Sequence, residues 1–246
     1  MDKKIIGIVV NERSYSETSK IINVLTKEYG VISLIAKGAK GLKSPLRNVT
    51  TKLTYGTFNI KYKEKGLSTL ISVDIINPLK EIKKDITKIS YASFIVDLSE
   101  QVMKHSNNSE VLKLLIDALI KINENFDPIV ISNILELKYL DFLGVMPIID
   151  ECSICRGKKS IVTLSVDKGG YVCKNCHTNE KLVSEKTIKL IRMFYYVDIE
   201  KISKLEISSE AKKEINNFLD NYYDKYTGLY LKSKTFLHNL NKINIG

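Results

Sequence analysis

No stretch of the 246 residues holds an apolar run close to the roughly 18 residues that a membrane span requires. The one early candidate for an export signal, Lys3-Lys4 followed by Ile5-Ile6-Gly7-Ile8-Val9-Val10, stops at once in Asn11-Glu12-Arg13 and is too short. A soluble cytoplasmic protein is therefore expected. Catalytic motifs are missing as well: there is no G-x-x-x-x-G-K-[ST], no G-x-G-x-x-G and no G-x-S-x-G. Histidine occurs three times, as His105, His177 and His238, far apart and in different elements. The acidic pair Asp150-Glu151 is adjacent and cannot flank a substrate as an acid and base would. An enzyme is not expected. Arginine is scarce too, since 34 of the 38 cations are lysine. Lysine is a point charge without the fork that reads guanine bidentately, so sequence-specific duplex readout is not expected. Internal repeats and low-complexity stretches are absent.

What is present is ordinary for a globular chain, 44% hydrophobic and 27% charged, with one asymmetry. The net charge is +10, and residues 1–80 hold 14 Lys/Arg against 6 Asp/Glu, leaving +2 for residues 81–246. Charge concentrated in this way creates a field that scattered lysines do not. It points to a polyanion-binding module joined to a near-neutral one.

The four cysteines, Cys152, Cys155, Cys173 and Cys176, form two C-x2-C pairs separated by seventeen residues. That spacing suits a tetrahedral zinc site, in which two tight turns each present two thiolates. Gly157 follows the first pair and Gly169-Gly170 precede the second, where the chain must bend. Disulfides are disfavoured in a cytoplasm, and a redox C-x-x-C needs one pair rather than two. One structural Zn2+ is expected, closed by four thiolates with no position open for water. His177 is read as an exposed loop residue and not as a ligand.

Five short strands precede residue 80. They run over Ile5–Val10, Ile21–Leu25, Val31–Ala36, Leu53–Tyr62 and Leu67–Ile76, with turn signals between them. Pattern alone leaves barrel and sandwich open, though the segment between the third and fourth strands lies where an OB-fold commonly carries an insertion. Asn77-Pro78 ends this region, and helical periodicity follows: about Ile82 to His105, then Val111 to Ile122 with Ser109 as N-cap. Next come Ile129 to Leu143 behind Pro128, Glu185 to Val197, Ser209 to Tyr226, and a short helix from Lys234 to Leu240. The boundaries expected are 1–80 for the basic domain and 81–246 for a helical domain, with the cysteine motif at about 149–182. Between the third and fourth strands, Lys37, Lys40, Lys43 and Arg47 recur every three or four residues among glycines. Such a loop suits phosphate contact, with Arg13 as a further cation. Tyr15, Tyr29, Tyr55, Phe58 and Tyr62 are candidates for base stacking or for the core, and pattern does not separate the two.

Several stretches, taken in order, resemble the RecO family of bacterial recombination and repair mediators. They are Tyr15-Ser16-Glu17-Thr18-Ser19-Lys20-Ile21-Ile22, Leu25-Thr26-Lys27-Glu28-Tyr29-Gly30, and Ala36-Lys37-Gly38-Ala39-Lys40 with Lys43-Ser44. Leu140 to Pro147, Cys152 to Cys155, Gly169 to Cys176, Leu231 to Lys234 and Phe236-Leu237 continue the match over nearly the whole chain. The sequence departs from the family in carrying lysine where members often have arginine in the basic loop. The resemblance implies an α+β protein: an N-terminal five-stranded OB-fold barrel followed by an all-helical domain with an inserted four-cysteine zinc motif. It implies binding of single- and double-stranded DNA and annealing of complementary strands. With RecR, and often RecF, such a protein would load RecA onto DNA coated by single-stranded-DNA-binding protein (SSB), whose acidic, apolar-ended tail would dock on the helical domain. A nucleoid-associated cytoplasmic protein would result. A zinc-ribbon factor of transcription or RNA processing, or a pure interaction scaffold, stays open on composition alone.

Overall fold

The apolar, β-branched runs of the first eighty residues form the strands of a sheet, and Tyr55–Lys61 alternates cleanly between a half-buried and a buried face. In a computed structural model, which describes residues 1–231, 233, 234 and 237, five strands form: β1 (Asp2–Ser14), β2 (Lys20–Thr26), β3 (Val31–Ala36), β4 (Tyr55–Lys61) and β5 (Ser68–Asn77). They close into a barrel of order β1-β2-β3-β5-β4, with β4 pairing back onto β1. Every pairing is antiparallel except β3 with β5, where Leu34 and Ile35 run parallel to Ser68 and Thr69. This is the OB-fold order, and closure removes the free sheet edges.

Phe58 and Ile60 of β4 point inward with Ile5, Val9, Ile22, Val24, Leu34 and Leu70. Gly7 and Gly56 face each other across β1 and β4. A Cβ on Gly7 would lie 2.5 Å from the Leu25 carbonyl oxygen, and one on Gly56 would lie 2.5 Å from that of Asp74. Only glycine fits where β1 passes this close to β2 and β4 this close to β5. The strands outrun the apolar runs that announce them. β1 reaches Ser14 because Asn11, Glu12 and Arg13 still pair with β2, past a register shift between Val9 and Asn11.

Beyond Asn77 the chain turns helical. The first expected helix is broken in two, α1 (Lys80–Lys83) and α2 (Ile86–Ser106), because the Asp85 side chain accepts the N–H groups of Thr87 and Lys88 and caps a new start. α3 (Glu110–Asn123) begins after a bond from the Glu110 N–H to the Asn108 side chain, so Asn108 plays the part expected of Ser109. These three helices pack in one compact unit with the barrel, residues 1–123, together with Leu231 and the described residues after it.

The second unit spans Glu124–Tyr230. α4 (Pro128–Phe142) starts with Asp127 as its cap and Pro128 in its first turn, and Gly144 follows its end at φ 72°. α5 (Glu185–Tyr196), a 3-10 turn (Ile199–Lys201) and α6 (Ser209–Tyr226) complete its helices. The buried Tyr223 hydroxyl donates to the Glu136 carbonyl at 2.8 Å, joining α6 to α4. Between α4 and α5 lies a hairpin of β6 (Ile161–Ser165) and β7 (Gly170–Cys173). The cysteine spacing marks this segment, whereas its two short strands carry no comparable signal in the sequence. The helix expected over Lys234 to Leu240 lies outside the described residues except at Lys234 and Leu237, and His238 lies outside them altogether.

Candidate functional site

The basic segment between β3 and β4 is a series of turns anchored in the barrel. Ala39 and Leu46 belong to the barrel core, and Val49 packs against it. Successive turns close through Gly41 N–H to Gly38 O (3.0 Å), Ser44 N–H to Gly41 O (3.1 Å) and Arg47 N–H to Ser44 O (3.1 Å). The segment is tied sideways to the β1–β2 hairpin. The Lys40 N–H donates to the Thr18 carbonyl at 2.9 Å, and the Lys40 ammonium donates to the Ser16 carbonyl at 2.7 Å. Its far end returns to β1 through Leu53 N–H to Val9 O at 3.0 Å.

This anchoring turns the cations outward. Lys37, Lys43 and Arg47 are exposed on the segment, and Arg13 is exposed on β1 as it enters the hairpin. None of the four enters an ion pair among the described residues, whereas Lys20 pairs with Glu12 and Lys52 with Asp97. Lys40 differs from them: it is half-buried, and its ammonium holds the hairpin. Sequence spacing gave Lys37, Lys40, Lys43 and Arg47 equal weight, and nothing in the spacing marked Lys40 as a tether.

The second feature lies in the other unit. The Sγ atoms of Cys152, Cys155, Cys173 and Cys176 all lie within 4.8 Å of one another. Cys155 and Cys173 sulfurs are 3.6 Å apart, far beyond a disulfide bond. Four sulfurs at about 2.3 Å from a tetrahedral metal would be separated by about 3.8 Å, so the cluster fits such an ion. Two turns build it. In the first, the Cys152 N–H donates to Gly157 O at 2.8 Å and the Arg156 N–H to Cys152 O at 3.0 Å. In the second, the Cys176 and His177 N–H groups both donate to Cys173 O, at 3.0 and 2.9 Å.

The hairpin sets the spacing between the turns. Tyr171 N–H donates to Ile148 O and Ser153 N–H to Tyr171 O, both at 2.8 Å, so β7 lies against the strand-like approach to the first cysteine pair. Gly170, at φ 149°, makes this possible: a Cβ there would sit 2.2 Å from the Ile148 carbonyl oxygen. The Tyr171 hydroxyl donates to the Ile188 carbonyl, fixing the hairpin to α5, and burial raises its pKa. His177 is half-buried and bonds through Nε2 to the Glu180 carbonyl at 2.8 Å, outside the thiol cluster. Lys168 braces the second turn by donating to the Cys176 carbonyl at 3.0 Å while pairing with Glu180.

Electrostatics favour a cation here. Burial opposes ionisation of Cys152, but the N–H groups of Cys155, Cys173 and Ile154, together with the Cys155 thiol, outweigh it and bring the thiol down to about 6. Cys176 is pushed up to about 12, first by its contact with Cys155, then by burial and by the Cys173 and Cys152 sulfurs. A cation bound among the sulfurs would relieve the crowding that opposes ionisation of Cys176.

A closed barrel with exposed cations, in a chain that also carries a four-thiol centre among helices, defines a class: OB-fold proteins bearing a four-cysteine module. The family descriptions agree. "Recombination protein O N terminal" matches residues 1–79 and "Recombination protein O C terminal" matches residues 83–235. Proteins called DNA repair protein RecO from Bacillus cytotoxicus, Bacillus cereus (strain AH187) and Bacillus anthracis are each 37% identical to the chain over 249 residues, covering all of both sequences. The chain belongs to the RecO family of DNA repair proteins. Among the described residues, no helix is long and apolar enough to cross a membrane.

Proposed function

We propose that the protein is a recombination mediator that binds single- and double-stranded DNA through residues 1–80 and anneals complementary strands. The observation that carries this reading is a set of exposed cations without ion-pair partners among the described residues, Arg13 on β1 and Lys37, Lys43 and Arg47 on a segment whose apolar residues are locked into the barrel core. Cations fixed in this way meet phosphates without first losing side-chain partners or loop freedom. Lysine-rich contact is sequence-tolerant, as annealing of arbitrary strands demands. Lys40 contributes charge and also holds the segment against the hairpin.

Residues 81–246 would receive the SSB tail. RecR, with RecF, would act with the DNA-bound protein so that RecA is loaded where SSB is displaced, and the acidic SSB tail would dock on the helices. The centre holds one Zn2+ on Cys152, Cys155, Cys173 and Cys176. Its role is structural, because four thiolates close the coordination sphere and leave no place for a reacting water. No step of annealing or loading requires bond chemistry from this chain. The place of action is the bacterial cytoplasm, at the nucleoid.

A strand-annealing assay on SSB-coated complementary oligonucleotides, with and without RecR, tests the reading. Acceleration by the protein, and RecA filament formation when RecR is added, is expected. Binding to RNA in preference to single-stranded DNA, with no annealing, would contradict it.

A further inference from the structure

Five aromatic side chains of the barrel are sequence candidates for stacking, and their surroundings separate them. Phe58 is fully buried in the core. Tyr29 and Tyr62 have ring centroids 5.6 Å apart and share one cation: the Lys3 ammonium lies 3.9 Å from the Tyr62 centroid and 3.0 Å from the Tyr29 hydroxyl. Tyr55 is half-buried, and burial raises its phenol pKa. Tyr15 is the most exposed of the five. It is 58% exposed at the end of the β1–β2 hairpin, where its N–H bonds Ser19 O at 3.1 Å.

That same hairpin turn is joined through Ser16 and Thr18 to Lys40 of the basic segment. On the segment, Leu42 is 86% exposed, between Gly41 and Lys43. An isolated exposed leucine needs no explanation. This one stands on a hydrogen-bonded series of turns that buries Ala39 and Leu46 on either side of it. The Lys40 ties thus join the hairpin turn that carries exposed Tyr15, with Arg13 on the strand entering it, to the segment that carries exposed Leu42, Lys37, Lys43 and Arg47.

We propose that Tyr15 and Leu42 are base-contacting residues selective for single-stranded nucleic acid. The inference rests on the phosphate-binding reading above. While the cations hold the backbone, Tyr15 stacks on an unpaired base and Leu42 packs against a neighbouring one. In a duplex the base faces are covered by each other, so the two side chains add affinity for the unpaired strand only. This gives the surface a preference for the substrate of annealing over its product.

The test is fluorescence anisotropy of the full chain with a labelled mixed-sequence single strand and with its duplex, across a salt series. The Tyr15→Ala/Leu42→Ala variant alters exposed side chains only. It should bind the single strand about tenfold more weakly, the size of one modest stacking contact, with duplex affinity and salt slope unchanged. Tyr15→Phe should bind as the unaltered protein does. Lys37→Glu/Lys43→Glu should weaken both ligands. Unchanged single-strand affinity in the alanine variant, beside a weakened charge variant, would overturn this proposal alone. Equal loss on strand and duplex would also overturn it. Unchanged affinity in the charge variant would overturn the phosphate reading and this proposal with it.

Discussion

Residues 37–54 and residues 148–177 are both long stretches with little regular structure, yet they are ordered by different means. The first lies against a barrel and uses it: Ala39 and Leu46 enter an existing core, and the Thr50 hydroxyl bonds Leu46 O at 2.7 Å inside it. The second has a short hairpin and few buried apolar residues of its own, among them Ile149, Tyr171 and Val172. It gathers its two turns around four sulfurs. A loop on a ready-made core can spend its exposed positions on charge. A segment without one must spend its cysteines on cohesion. The comparison predicts that the two stretches fail independently.

The largest effect should come from the cysteine segment. Structural zinc binding in small modules is worth on the order of 10 kcal/mol, so chelation or Cys173→Ser should unfold the β6–β7 hairpin and lower soluble yield. Hydrogen exchange should show residues 148–177 losing protection while the strands β1 to β5 keep theirs. A hairpin that stays protected after metal removal would show that its hydrogen bonds suffice.

Next comes the anchor of the basic segment. Leu46→Ala should destabilise the barrel by about 2 kcal/mol, at the low end for a buried leucine, because Leu46 sits at the core's margin with 9% exposure. Urea unfolding followed by barrel tyrosine fluorescence would measure it, and elemental analysis should find the metal content unaltered. Loss of metal in this variant would break the proposed independence.

The smallest effect concerns pH. Lys168, together with the Thr178 N–H, holds Glu180 at about 2, down from an ordinary value near 4.5. The folded pKa is depressed, so the pair's contribution is complete above the ordinary carboxylate pKa and is lost as pH falls through about 2. Acid should therefore displace the metal by protonating thiolates well before Glu180 titrates. NMR titration of the Glu180 carboxyl with a midpoint near 2, and an acid metal-release midpoint little changed in Glu180→Gln, are the expected results. A midpoint near 4.5 would show that the Lys168 pair does not hold in solution.

The parts legible in the sequence are those that depend on local repetition. Apolar, β-branched runs bounded by turn residues located every strand of the barrel within a few residues, and the paired C-x2-C spacing located the four-thiol cluster, because both signals reside in neighbouring positions. What escaped depends on contacts distant in the chain. The inward role of Ala39 and Leu46 requires the barrel to exist first. Lys40 reads as one cation among five until the Ser16 carbonyl is placed beside it. β6 and β7 are short, and the glycine that joins β7 to Ile148 looks like an ordinary turn residue until that backbone approaches it. Asp85 interrupts the first helix because a local cap outweighs a periodicity that runs straight through it.

The central claim is that a basic segment locked onto the barrel is the phosphate-binding surface. Its most direct test is the salt dependence of single-strand affinity for the unaltered chain and for Lys37→Glu/Lys43→Glu, at full metal occupancy in both. With about four to six phosphates neutralised, the unaltered chain should show a log–log slope of roughly −3 to −4. The variant should bind unrelated sequences at least tenfold more weakly with a clearly shallower slope. Equal affinity and equal slope in the two proteins would place the DNA contact elsewhere and contradict the account.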